Sequence, residues 1–354
     1  MIASRQASRR PPPGRSQKGW GRHGEQRGAR PRRTRGAALL AAMITVALVA
    51  TLAAAALWRQ WRGVEVESAE RTRIQASWIL VGALDWGRLI LGGDRRNSSV
   101  DHLGEPWAVP LAEARLSTFL AAGEDASDLD RDAFLSGQVT DLQSRLNLMN
   151  LVHGNAENQL FAIEVFNRLF ELLGLPASEV GQIQRGLQSA EQAMLGKATE
   201  GDAPLLPQRL EQLTWLGVAP ETVAAVAPYA TLLPDENVTT VNLNTASPEV
   251  IYAAVPGLDM ASARRLENLR QQNYFTNAAT ALTQVGASGL PRQWLGVASR
   301  FFEVRGRLRL DTLALEEVAV VRRDGAPPAS VKIVPLWRYR TPLTLPAAGT
   351  VAAR

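Results

Sequence analysis

The chain contains no cysteine in its 354 residues. Disulfides, thiolate metal centres and cysteine nucleophiles are therefore excluded. Histidine is nearly as scarce. His23, His102 and His153 are the only three, and none stands at metal-ligand spacing. His23 lies in the N-terminal leader, and His102 and His153 are read as surface or loop residues. No phosphate loop, glycine fingerprint or nucleophile–base pair is present. The chain is therefore expected not to be an enzyme. Two local absences carry structural weight. Proline is missing between Ala37 and Glu105, and charge is missing from Ala37 to Trp58.

What is present begins with charge. The sequence pI is about 10.0. Residues 1–36 hold eleven Arg or Lys against a single acid, Glu25, a net of +10. The whole chain carries +5, so residues 37–354 carry −5. The mildly acidic remainder does not have the footprint of a nucleic-acid binder. The leader is rich in Arg, Pro, Gly and Ser, and is too polar to offset its own ordering entropy. The apolar fraction of 46% supplies a core, and the length suggests about two domains beyond a targeting segment.

Residues 37–58 read AALLAAMITVALVATLAAAALW. At 1.5 Å per residue this run spans roughly 33 Å, about one bilayer core. The cationic flank predicts a cytoplasmic N-terminus and an exported body. Trp58 and Trp61 mark the far interface, with Arg59 and Arg62 reaching headgroups. Three readings of the run stand side by side. One is a plain anchor. One is a cleaved signal with its small-residue site at Ala53–Ala56. One is a pilin-type leader cut on the cytoplasmic side, for which Gly36-Ala37 is the fitting junction. Helical spacing continues through Ile74, Trp78, Val81 and Asp85, beside Ile79, Ala83 and Trp86. Gly92-Gly93 is expected to stop the helix, giving one rod of roughly 55 residues.

The body reads in two textures. Glu105–Leu111 is expected as an extended stretch with Trp107 and Val109 on one side of a sheet edge, and 137–151 as two short strands. Strand character returns at Arg300–Leu310, Glu317–Arg323 and Val331–Arg338, with Asp324-Gly325 as turn signal between the last two. These strands are expected to form one antiparallel sheet on the stem. Residues 156–298 are predicted to be almost wholly helical. Leu160, Ile163, Phe166, Leu169, Phe170 and Leu173 repeat at 3 or 4 before Gly174 ends that helix. A further unit, Val241–Arg270, resembles a helix-hairpin-helix with Pro256-Gly257 at its turn. In DNA-binding versions the second helix opens on a phosphate. Here Asp259 stands at that opening and is expected to cap the helix itself, and charge over the unit is about balanced. Asp128-x-Asp130-x-Asp132 has the spacing of the start of a calcium loop, but Ala133 and Val139 replace the required Gly and distal Glu, so a solvated acidic loop is the stronger reading.

Three stretches together resemble protein K, the minor pseudopilin of type II secretion. They are Gly36–Trp61 with its continuation to Trp86, Asp101–Leu111, and Gly137–Leu151. The third is the most specific: Asp141, Gln143 and Arg145 precede Asn147-Leu148-Met149-Asn150-Leu151. The resemblance implies an α+β fold, in which a transmembrane and stem helix packs on a small antiparallel pilin-like sheet with an inserted all-α domain containing a helix-hairpin-helix or SAM-like unit. The implied divisions are a cleaved leader (1–36), a transmembrane helix (37–58), the sheet domain (59–155 and 299–340), the insertion (156–298) and a loose tail (341–354). It also implies cleavage after Gly36 by a prepilin peptidase, methylation of the new end, and a place in the inner membrane with a periplasmic body. Implied partners are the minor pseudopilins I and J. Calcium in the helical domain is implied by the family, with no ligands assigned to this chain. Most pilin-like subunits carry Glu at the fifth position after the cut. Here that position is Ala41, which suits a tip subunit with nothing stacked above it. The 36-residue leader is longer than the family's. The rival expectation is a membrane-anchored DNA-uptake protein using the hairpin unit.

Overall fold

The computed structural model describes residues 35–116, 133–197, 203–235, 237–287, 294–310 and 313–344. The chain divides into two compact units, Met1–Ser68 and Ala69–Arg354. The described part of the first is helical throughout and exposed from Gly36 onward. It is the beginning of helix α1, Arg35–Asn97, which continues into the second unit.

The expected stop at Gly92-Gly93 is overturned, because α1 runs on to Asn97. Two glycines cost a helix about 1 kcal/mol each. Tertiary packing outweighs that here: Leu91 is fully buried in a cluster against which Ile333 packs. Arg95 and Arg96 complement the helix dipole in the last turn, and the Ser98 hydroxyl closes a turn on Val100.

In the second unit Pro106–Ala108 forms a 3₁₀ turn rather than an extended stretch. Trp107 and Val109 consequently part company: Trp107 is buried and Val109 is exposed. The first strand, β1, is Leu111–Arg115, and β2 is Ala133–Asp141. Two strands do arise within 137–151, but unequally: β2 is long, beginning before Gly137, and the second has two residues. After β2 the chain coils through two 3₁₀ turns flanking the two-residue β3, Leu146–Asn147. The side chains of Asp141 and Asn147 cap those turns by accepting from the Gln143 and Met149 amides, which is why the β pattern breaks here.

The helical region opens with α2, Ala156–Leu173, capped by Asn155 and ended by Gly174 in the left-handed conformation at φ 68°. Then come α3 (Ser178–Met194), a 3₁₀ segment (Leu210–Leu216) and α4 (Pro220–Val226). Strand β4, Ala230–Thr231, pairs parallel with β3. Strand β5 (Val241–Asn242) is followed by α5 (Pro248–Ala254), α6 (Met260–Gln272) and α7 (Ala278–Thr283). Strand β6, Leu295–Gly296, returns parallel to β5. The core of this region centres on Phe166, Leu169, Phe170, Ile183 and Ile251, and Leu146, Leu148 and Leu151 pack into it from before residue 156.

Strands β7 (Phe301–Leu310), β8 (Leu313–Asp324) and β9 (Lys332–Pro342) complete an antiparallel sheet of order β1-β2-β7-β8-β9. Thr341 and Pro342, expected in the tail, belong to β9. The strand pairs before 151 and after 300 thus meet as expected, with Ala133 opposite Leu310 and Asp141 opposite Phe302. Alternation decides the two faces. Phe302, Val304, Leu308 and Leu310 face α1, packing on Ala76, Leu80, Leu84 and Leu91. Arg305, Arg307 and Arg309 face away and pair with Glu303, Glu316 and Glu113. A register shift at Val320/Val321 leaves Leu336 without a partner next to Pro335 on the edge strand, where a missing N–H does least harm.

The stem approaches the sheet closely at Gly87, where a Cβ would lie 2.7 Å from Val304 Cγ1. Gly87→Ala should therefore destabilise the body by about 1–3 kcal/mol through overpacking, although alanine is the better helix former by about 1 kcal/mol. Denaturant titration of the detergent-solubilised chain reads the sign; a more stable variant would show that helix propensity governs this site.

Candidate membrane anchor and assembly surface

Within the first unit, Gly36 and Ala37 are helical, and the best 18-residue window has a mean hydropathy of 2.4 with none of it buried. Leu39, Leu40, Ile44, Val46, Leu48, Val49 and Leu52 all project outward. The two hydroxyls in the run are satisfied inside the helix: Thr45 donates to the Ala42 carbonyl at 2.9 Å and Thr51 to that of Leu48 at 2.8 Å. A helix satisfies its own backbone, so this segment can cross hydrocarbon without a partner. Trp58 and Trp61 sit together at its end, with ring centroids 5.4 Å apart.

The second unit presents two features on the stem. Ile74, Trp78, Trp86 and Leu89 are 53–72% exposed, an apolar stripe at helical spacing that is uncovered among the described residues. Beside it runs a groove of about 600 Å³ between α1 and the β1–β2 edge. Ile79, Ala83, Trp86, Val109, Leu111 and Val139 supply its apolar walls. Contiguous exposed apolar surface of this kind marks an interaction site.

The stem, sheet and helical region are joined by a buried polar cluster. Arg323 on β8 has a side chain 1% exposed. Its guanidinium donates to Asp94 of α1 at 3.1 Å, to both Asp101 oxygens at 2.6 and 2.5 Å, and to the Ser299 carbonyl at 2.7 Å. Asp101 accepts from the Ser299 amide at 2.7 Å. Glu105 accepts from the His102 amide at 3.0 Å and the Trp107 indole at 2.7 Å. From the helical side, the Asn242 amide donates to the Asp101 carbonyl, Asp141 and Ser299 at 3.0–3.1 Å. Burial pushes Asp141 up to about 6 against the hydrogen bonds it accepts from Ser299 and Thr245. Burial, with Glu105 and Asp101 close by, pushes Asp94 up to about 7. Asp94, Asp101 and Glu105 have oxygens within 4.8 Å of one another, but a guanidinium is already bound among them.

No local motif announced this cluster, because Arg323 lies 222 residues from Asp101 in sequence. A weak signal existed. Arg323 shares the inward phase of β8 with Ala319 and Val321, and so does Glu317, which is buried and paired with Arg340 and Arg338. Asp128, Asp130 and Asp132 lie outside the described residues. His102 and His153 both lie in loops, as expected, and are part-buried there. His102 stacks on Tyr274 with centroids 4.0 Å apart, and His153 reaches Glu191 at 2.9 Å.

At the hairpin, Ser247 caps α5 and Asp259 caps α6, accepting from the Ser262 amide at 2.7 Å. Hydrogen bonds from Ser262 hold the Asp259 carboxyl below its ordinary range, so the helix opening carries its own anion. Arg168 is spent on the carbonyls of Tyr252 and Leu258, and Arg270 on those of Leu243 and Ala246. Of the unit's three arginines, Arg264 and Arg265 remain exposed.

Comparisons with known proteins agree with this architecture. Two profiles of the family described as "Type II secretion system (T2SS), protein K" match, one over residues 144–235 and the other over 241–300. Type II secretion system protein K of Klebsiella pneumoniae is 25% identical over 323 residues, 83% of this chain and 94% of that protein. The Pseudomonas aeruginosa protein K is 25% identical over 319 residues, 82% and 90% respectively. One chain of the GspK-GspI-GspJ complex from the enterotoxigenic Escherichia coli type 2 secretion system has the same fold. It matches at a TM-score of 0.55 and 15% identity, over 77% of this chain and 98% of that one. With its long apolar N-terminal helix, antiparallel sheet and helical region, the chain is similar over most of its length to protein K of type II secretion.

Proposed function

We propose that this protein is the tip subunit of the type II secretion pseudopilus, which initiates the filament and caps it. The observation carrying this reading is where the helical region is rooted. Asp101, Asn242, Ser299 and Arg323 tie it to the sheet beside the C-terminal end of α1. A body there obstructs a further subunit at that end, while the stem stripe and groove, open among the described residues, offer a lateral packing surface. Ala41, in place of a carboxylate, fits a subunit that has no partner above it.

The apolar half of α1 is the single-pass anchor in the inner membrane, its basic flank held in the cytoplasm and the body in the periplasm. Prepilin peptidase cuts between Gly36 and Ala37. The stem packs with those of minor pseudopilins I and J, and no catalysis and no cofactor are involved. The hairpin at α5–α6 is a helix-hairpin-helix variant used as structure. The capped opening of α6 and the inward-turned Arg168 and Arg270 count against its use as a phosphate or DNA grip.

Two measurements test this reading. Immunogold labelling of isolated pseudopili should place the protein at one end only; labels along the shaft would overturn the capping role. Because the chain has no native cysteine, Trp78→Cys and Trp86→Cys serve as single crosslinking probes on the stem. Both should crosslink to I or J carrying a stem cysteine in intact membranes. Absence of any adduct across a panel of partner positions would remove the lateral-packing surface.

A further inference from the structure

We infer that the buried cluster joining α1, β8 and the helical region is a proton-operated lock, rigid while one of its carboxylates holds a proton and loosened when that proton leaves. The argument starts from charge counting in a small dry volume. Asp94, Asp101 and Glu105 bring three carboxylates within 4.8 Å of one another. Asp94 is faced from β8 by the Arg323 guanidinium, and from the connection after α1 by Asp101 and Glu105. Glu105 is in turn faced by His102, 3.9 Å away, and Asp101 by Asp141 from β2. Fully ionised, the triad and Arg323 leave two uncompensated negative charges where side chains are at most 7% exposed. Buried charge without a partner is costly, and a carboxylate relieves it by keeping its proton.

Asp94 is the group placed to do so. Asp101 has both oxygens on Arg323 and a further bond from the Ser299 amide. Glu105 accepts from the Trp107 indole and the His102 amide through one oxygen. Asp94 has a single contact of 3.1 Å from Arg323, and feels both other carboxylates. Burial and those neighbours raise it from 3.8 to about 7. A raised carboxylate favours the fold in its protonated form. The stabilisation is complete in acid, declines as pH climbs from about 4, and is gone once pH passes about 7. Asp141, raised to about 6, shifts the same junction in the same direction.

The consequence is local. Asp94 sits in the last turn of α1, and Asp101 receives that end of the stem and pins Ser299 of the returning chain. Repulsion after the proton leaves acts on this joint, and the hydrophobic cores on either side hold no ionisable member of the triad. Loosening at neutral to alkaline pH would therefore free the helical body on its root without unfolding either part.

Hydrogen exchange on the full-length chain in detergent, between pH 5.5 and 8.5 and corrected for intrinsic rates, tests the lock. The amides of Asp101 and Ser299 are the reporters, and those of Phe166 and Phe170 the internal reference. Reporter protection should fall about tenfold or more relative to the reference across this range. Asp94→Asn, which keeps an acceptor for Arg323 and cannot ionise, should stay protected at both ends. Equal protection of the wild-type reporters at both pH values would overturn the lock, as would a fall that Asp94→Asn leaves unchanged. If the variant does not fold, the wild-type comparison together with a carbon-13 titration of the Asp94 carboxyl decides the matter; a midpoint near 4 refutes it.

Discussion

Arg323→Met should destabilise the body by about 3–5 kcal/mol at pH 8, the cost of removing one partner from a buried ion pair. The side chain fits between α1, the connection and the return to β7, and it is the cation bound within the triad. Methionine fills much of the volume but leaves Asp101 buried with no counter-charge and the Ser299 carbonyl without its donor. At pH 5 the loss should shrink, because the orphaned carboxylates can then take protons. Denaturant midpoints of the detergent-solubilised chain at the two pH values measure both effects. A loss under 1 kcal/mol at pH 8 would show that the cluster is hydrated and that Arg323 does not organise it.

Placing arginine at both Leu48 and Leu52 should abolish membrane integration. Each leucine near the centre of a span favours insertion by about 0.3–0.6 kcal/mol, and each arginine opposes it by about 2.5–3.5. The pair therefore costs roughly 6–8 kcal/mol, more than the remaining alanine-rich run recovers. The positions lie one turn apart on a fully exposed stretch, so the folded body has no stake in them. Carbonate extraction should move the double variant from the membrane fraction to the supernatant or to degradation. Retention of the variant in the membrane would mean that the apolar run is not what anchors the chain. N-terminal sequencing of the extracted wild type then discriminates the processing routes: Ala37 as first residue supports the pilin-type cut, and a start near Leu57 would mark an ordinary signal peptide.

These expectations differ in how much of their basis was local. The anchor was readable because composition and length alone define it: an uncharged run behind a basic flank needs no tertiary partner. Strand β7 was readable because one face is more buried than the other, and period-2 alternation records that directly, while β8, buried on both faces from Glu317 to Val321, was readable from its β-branched run. Helix α2 announced itself by spacing and by Gly174. Asp259 as a cap was also readable, since an N-cap is made within three residues.

The misses have a common cause. Gly92-Gly93 carries a local stop signal, and the packing of Leu91 in the cluster with Ile333 across the molecule carries the helix past it. Trp107 and Val109 look alike in an extended reading. A 3₁₀ turn separates them, and the fit of Trp107 against Phe302 and Glu105 settles which is buried. Covalent order thus determined the anchor, the periodic elements and the caps, because each is settled by residues within a few positions of one another. The stem groove, the stripe beside it and the Asp94–Asp101–Glu105–Arg323 joint were decided by the tertiary structure, because burial and electrostatic coupling depend on distance in space, and residues 222 positions apart become neighbours only when the sheet closes on the stem.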